Sequence, residues 1–311
     1  MEIRKHIKPK KKPHWQLGLM LSPSIVYLVI FNYIPMLGLI IAFKNYSPSL
    51  GFEGIFTSKW VSFGNFIDFF NYPYFWDIMR NTLVLSSYAL VVNTVVPIAL
   101  ALMINEIRNK TFKNTFQTIS YAPYFVSLVV LVGICGSFLQ GENSVFNIIG
   151  SAFGLPPKNY LSNPSLFSTI YTFSGLWQGL GWWTIIYIGT LSNVDRTLHE
   201  AAAIDGAGRL RRIFTINLPA ILPVATVQFI LAMGSIMSIG FEKVYMFQNL
   251  IGDLTRSSTE IISTFTYRVA FEESRNFGFA TAVGLFNSVI NIILLVSANF
   301  LSKKVGKESL W

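Results

Sequence analysis

The densest group of side chains able to act together lies in segment 195–214, Asp195-Arg196-Thr197-Leu198-His199-Glu200-Ala201-Ala202-Ala203-Ile204-Asp205-Gly206-Ala207-Gly208-Arg209-Leu210-Arg211-Arg212-Ile213-Phe214. Its chemistry is docking rather than bond-making. Glu200 offers a carboxylate to a partner arginine, and the small side chains of Ala201 and Ala202 let a partner surface approach closely. Thr197 with Glu200 three residues on predicts a capping-box helix start. The alanines favour helix, Gly206 and Gly208 interrupt it, and a short basic piece follows. The expected shape is a helix, a bend and a second helix. Bond-making groups are scarce elsewhere. Cys135 is the sole cysteine and lies in an apolar run, which excludes an intrachain disulfide and any CxxC motif. Three histidines, far apart, predict no metal cluster. No G-x-x-x-x-G-K-[ST] segment is present, so nucleotide binding of the P-loop kind is excluded. The reading assigns no catalytic residue, no metal ligand and no cofactor to this chain.

The elements that must position this segment follow from composition. Of 311 residues, 52% are hydrophobic and only 13% are charged, about half the share of roughly 25% expected of a soluble domain. The mean hydropathy is +0.50. Six windows lack Asp, Glu, Lys and Arg: 17–43, 81–105, 114–141, 159–194, 213–241 and 276–302. Each reaches the roughly 20 residues that a bilayer span needs. In the fourth, 159–165 reads as loop and the helix is expected over 167–191. Pro219 and Pro223 are expected to break or bend the start of the fifth. The fold class is therefore an all-α polytopic membrane protein with six transmembrane helices over 17–302, flanked by a basic tail 1–16 and a short tail 303–311. The first apolar stretch is too long for a signal h-region and lacks a small-x-small site, so a retained helix is expected.

Lys and Arg counts set orientation. With the N-terminus inside, sixteen of the 24 basic residues are cytoplasmic, and the inside carries +10 against −1 outside. The basic balance is thus topogenic and implies no nucleic-acid partner. Both termini and segment 192–217 are expected in the cytoplasm. None of the predicted helix cores contains a charged side chain. Ion-coupled carriers ordinarily need such groups to bind and release charge within the bilayer. An ion-coupled carrier and a scaffold without a pathway are therefore the weaker readings, and energy is expected from another subunit.

The spacing of segment 192–217 narrows the reading. Glu200-Ala201-Ala202, Gly206, Ile216 and Leu218-Pro219 reproduce E-A-A, three residues, G, nine residues, I-x-L-P. This resembles the EAA loop of permease subunits in binding-protein-dependent ABC importers. The run Glu200 to Arg209 is similar to the carbohydrate-importing class. Segment 33–46, with Tyr33-Ile34-Pro35-Met36 and Ile41-Ala42-Phe43-Lys44-Asn45-Tyr46, resembles the branch serving oligosaccharides and polysaccharide fragments. Arg196 stands where many members carry Pro, leaving the helix start to Asp195 and Thr197. The resemblance implies a type I importer permease fold with the first helix against a second homologous permease. It also implies two cytoplasmic ATPases, which bind ATP and Mg, and an extracytoplasmic solute-binding protein. It gives the ATPase-coupling role to Glu200, Ala201, Ala202, Asp205, Gly206 and Arg209. An importer for another solute stays open within the family.

An oligosaccharide needs aromatic faces and neutral hydrogen-bonding groups along the pathway. The helix before the loop carries Trp177, Gln178, Trp182 and Trp183, with Gln178 and Trp182 on one face. Ser235 and Ser238 are three apart in the fifth window, and Tyr124 follows Pro123, which is expected to bend its helix. Tyr124, Gln178, Trp182, Ser235 and Ser238 are the substrate-pathway candidates, with Gln228, Asn287 and Asn291 as further buried polar groups. Each could instead serve as interhelical glue or interfacial anchor. The outer segments with Trp60, Phe63, Phe66, Tyr72, Tyr74 and Trp76 are expected to meet lipid headgroups or the binding protein.

Overall fold

A computed structural model describes residues 15–252, 256–304 and 309–310. Most of the expected tail 1–16, and residues 305–308 and 311 of the tail 303–311, lie outside the described residues. Regular structure among the described residues is helical, apart from one isolated bridge between Lys44 and Trp60.

Helix α1 (Gly18–Phe43) leads into the short helices α2 (Gly51–Thr57) and α3 (Gly64–Phe70). The long α4 (Phe75–Asn105) follows. Next come α5 (Lys110–Phe125), α6 (Leu128–Leu139) and α7 (Val145–Ala152). Helix α8 (Pro164–Ser192) precedes α9 (Arg196–Ile204) and α10 (Arg209–Met233). The chain closes with α11 (Phe241–Ile251), α12 (Arg256–Thr259), α13 (Ile262–Tyr267) and α14 (Phe277–Lys304). By length and composition α1, α4, α10 and α14 can each cross a membrane, and the α5–α6 pair supplies a fifth crossing if counted as one span. The 29 residues of α8 reach about 43 Å, enough for a bilayer, although its Trp, Tyr, Ser and Gly residues make it less apolar.

Two of the six windows are interrupted, the third near the helix-bending Pro123 and the fifth beyond Met233. The third is sharply bent, with α5 and α6 meeting at 97°. Pro123 lies in the tight turn Ala122–Phe125 and Val126 is extended. Ser127 then restarts the helix by accepting the Val130 N–H. The fifth ends early, at Met233, followed by a turn over Ile236–Ser238. Gly240 takes a left-handed φ of +32°, and the chain re-enters the bundle as α11. A Cβ at Gly240 would lie 1.9 Å from the Tyr171 hydroxyl oxygen, so glycine is required there for both backbone and space. This re-entry overturns one expectation. Lys243, counted as an outer-loop residue, is 93% buried against α8, so the interior does hold a basic group. Pro219 and Pro223 do not break α10; a π-turn over Ile213–Asn217 precedes them.

The helices pack on α4 and α8. One apolar cluster joins Phe69, Ile78, Met237, Phe265 and Val283. A second joins Leu85, Val132, Phe167 and Phe247 across α4, α6, α8 and α11. A third, with Ala101, Tyr187, Leu191, Ile221 and Ala225, holds the ends of α4 and α8 to α10 beside α9. Helix α1 is peripheral, with 6% of its apolar window buried. Its end is pinned by polar contacts. Asn65 Nδ2 donates to the carbonyls of Ala42 and Lys44, and Lys44 Nζ donates to those of Ile55 and Phe56.

Candidate functional site

Two regions carry the residues singled out above. The first is the loop between α8 and α10. Helix α9 has no buried residue. Its start differs from the expected capping box: Asp195 is the N-cap and its Oδ1 accepts the Thr197 N–H at 2.9 Å. That bond holds the Asp195 carboxyl below its usual range, so the charged cap persists above that lowered value and is lost as pH falls through it. The end of α9 is a Schellman motif. Ala207 N–H donates to the Ala202 carbonyl at 2.8 Å and Gly206 N–H to the Ala203 carbonyl at 3.1 Å. Gly206 sits at φ +76°, the left-handed region that favours glycine. The loop thus presents Glu200, Ala201, Asp205 and Arg209 exposed and Ala202 half-buried. Sequence reasoning passed over the apolar side chains around them. Leu198, Ile204, Leu210 and Phe214 are all more than half exposed, Ile204 at 87%. A helix with exposed apolar positions and no buried ones was a legible sign of a missing partner surface.

The second region is a pair of adjoining cavities beside α8. One, of about 470 Å³, is lined by Asn93, Tyr124, Tyr171, Thr172, Gly175, Gln178, Trp183 and Lys243. The other, of about 520 Å³, is lined by Ser86, Asn93, Thr94, Trp183, Tyr187, Gln228, Ser235 and Ser238. They share Ala89, Asn93, Trp183 and Ile239. From Tyr171 to Tyr187 they follow α8 for about 24 Å. Buried oxygens of Ser86, Asn93 and Thr172 have no protein partner there. Volumes of this size and mixed polar and aromatic walls suit a bound small molecule.

The sequence-chosen pathway residues separate here. Tyr124 and Gln178 line the first cavity, Ser235 and Ser238 the second. Trp182 lines neither; it stacks on Tyr124 with ring centroids 4.7 Å apart and planes within 9°. Its neighbour Trp183, not chosen, lines both. One residue is about 100° around a helix, and only packing fixes which tryptophan turns inward. Gln178 also has a structural task, its Nε2 donating to the Val126 carbonyl at the α5–α6 break. Gln228 accepts from the Tyr187 hydroxyl. Asn287 and Asn291 donate to Ser238 Oγ, and Asn291 Oδ1 accepts the Met237 N–H, fastening α14 to the turn that ends α10.

Residues 93–307 match the family described as binding-protein-dependent transport system inner membrane component. Protein LplB of Bacillus subtilis is 40% identical over 97% of this chain and 92% of its own length. The polygalacturonan/rhamnogalacturonan transport system permease protein YteP of the same organism is 39% identical over 100% and 94%. A chain in the crystal structure of a bacterial alginate ABC transporter, in complex with an alginate pentasaccharide-bound periplasmic protein, superposes with a TM-score of 0.85 at 33% identity. That match covers 95% of this chain and 96% of the other. Both the whole-length fold and the sequence therefore place this membrane protein in one family: the chain belongs to the inner membrane components of binding-protein-dependent ABC transport systems, as a permease.

Proposed function

We propose that this chain forms half of the translocation pathway of an ATP-driven oligosaccharide importer and performs no chemistry itself. The exposed α9 with its Gly206 bend supports this reading most. A helix without buried residues, carried on a rigid base at Leu191 and Ile221, is shaped to seat in a cleft of another subunit. Glu200, Ala201, Ala202, Asp205, Gly206 and Arg209 form the contact with an ATPase, which holds ATP and Mg. Closure of an ATPase dimer would move α9 as a rigid body and switch access to the cavities. A second homologous permease completes the pathway, with the mostly unburied α1 facing it or lipid. A solute-binding protein delivers substrate from outside. Tyr124, Gln178, Ser235 and Ser238, joined by Trp183, line the route, and Trp182 supports Tyr124. The relatives' printed substrates are polysaccharides, and the aromatic and amide lining agrees with a sugar. Both termini face the cytoplasm by the charge asymmetry.

The test is oligosaccharide uptake by cells carrying the whole transporter, with proton gradient and ATP varied separately. Uptake should survive an uncoupler while ATP is maintained. Collapse with the gradient at constant ATP overturns the reading. In a Cys-less background, cysteine at Ser192 should be shielded from an external reagent and cysteine at Lys158 accessible; the reverse pattern overturns the orientation.

A further inference from the structure

Lys243 is the basic group that the re-entrant α11 carries into the helix bundle. Its Nζ donates to the Tyr171 carbonyl at 2.7 Å and lies 4.5 Å from the Tyr171 ring centroid. It also occupies the space left by Gly175, where a Cβ would be 2.9 Å away. Gly175 stands about 16 Å along α8 from Pro164, within the depth of a bilayer. Among the described residues no carboxylate pairs with Lys243. An ammonium has three donors, and one is used by Tyr171. The contrast with Lys44 is instructive: that ammonium satisfies two carbonyls and lies near Trp60 in a loop, and it lines neither cavity. Lys243 lines the cavity between α4 and α8. On that cavity's wall the buried Thr172 hydroxyl and Asn93 Oδ1 lack protein partners.

A buried cation is costly unless something offsets it, and a neutral sugar needs none. We infer that Lys243 is a carboxylate-binding site within the pathway and that the transported sugar is acidic, of the uronate class. The ammonium, with two donors left over, takes one sugar carboxylate. Trp183, Tyr124 and Gln178 on the same cavity wall supply aromatic and amide surface for the sugar ring. A single ammonium matches a singly charged carboxylate better than a phosphate, which usually draws arginine or several donors. The inference rests on the oligosaccharide reading above and narrows it.

The experiment uses the assembled transporter, with both permeases and both ATPases and with the binding protein omitted so that its selectivity does not intervene. Equilibrium binding is measured for a galacturonate trimer and for its methyl ester, which differ in charge. The wild type should bind the acid at least about tenfold more tightly than the ester. Lys243→Met should remove that preference while leaving ester binding within about twofold, and Lys243→Arg should keep most of it. Equal affinity for acid and ester in the wild type overturns the inference without use of a variant. A preference that survives in Lys243→Met overturns the role of this residue. Competition by glucose 6-phosphate as strong as by the free acid overturns the carboxylate assignment. Ester binding without acid preference leaves the oligosaccharide reading intact, and binding of neither trimer overturns the uronate inference while the oligosaccharide reading stands or falls on the uptake test above.

Discussion

The loop that bears α9 and the cavity beside α8 are built on opposite principles. Every feature of the loop is local. Asp195 caps the residue two ahead, and Gly206 and Ala207 close the helix onto carbonyls three and five behind. Its side chains are turned out, and its structure would survive changes elsewhere in the bundle. The cavity is assembled from α4, α8, α10 and α11, whose residues lie up to about 150 positions apart. Its shape depends on backbone devices in or next to its walls: the break at Val126, the turn over Ile236–Ser238 and the left-handed Gly240. A local element can be moved as a unit, which is what force transfer requires. A non-local cavity changes shape when its helices shift, which is what alternating access requires.

The sharpest way to break this comparison is to damage the loop alone. Gly206→Pro forces φ to about −65° where the chain needs a positive angle, and removes the N–H that bonds Ala203. Ala202→Asp puts a charge on the half-buried face of α9. Each should lower uptake by on the order of a hundredfold or more, with normal membrane insertion and poor co-purification of the ATPase. Full uptake and full association of Ala202→Asp would show that α9 is not the contact.

The cavity should instead respond through the backbone turn that shapes its wall. Gly240→Ala places a methyl group on the Tyr171 hydroxyl and strains the backbone. Overpacking of this kind costs about 1–3 kcal/mol, seen as a lower unfolding temperature of the purified transporter. Adding Tyr171→Phe removes the clashing oxygen and should recover part of the loss; strict additivity of the two changes would refute the contact.

The two tryptophans sharpen the same contrast. Trp183→Ala should weaken uptake about tenfold, the equivalent of roughly 1.4 kcal/mol, because it removes a ring shared by both cavities. Trp182→Ala should do less, acting only through Tyr124. Equal effects on the Michaelis constant for uptake would mean that the inward position of Trp183 is not the feature that matters. The smallest change is expected at Glu200→Ala. An exposed ion pair is worth about 0–1 kcal/mol, so ATPase co-purification should persist and uptake should fall no more than about fivefold. A complete loss would reveal a stronger task for that carboxylate.

Legibility in the sequence followed the same division. The E-A-A spacing, the Gly206 bend and the helix that precedes it could be read directly, because each rests on neighbours within about twenty residues. The capping box was misassigned because Thr197 and Asp195 both suit the position, and the geometry chose Asp195. In the spans, hydropathy located the apolar windows and missed what happens inside them. Pro123 marked a bend in the third window but not its 97° size, and a charge-free window does not distinguish a continuing span from one that turns at Gly234 and re-enters.

Composition, charge asymmetry and motif spacing alone determined the membrane class, the family resemblance and the position of the loop that faces a partner. These are properties of order along the chain, fixed by solvation and by short-range hydrogen bonding. Tertiary structure alone decided that Trp183 rather than Trp182 turns to the cavity, that Asn291 fastens a turn, and that Lys243 lies inside the bundle. Those outcomes depend on which helix faces meet and where the chain doubles back, because burial of a side chain is set by its neighbours in space and not by its neighbours in sequence.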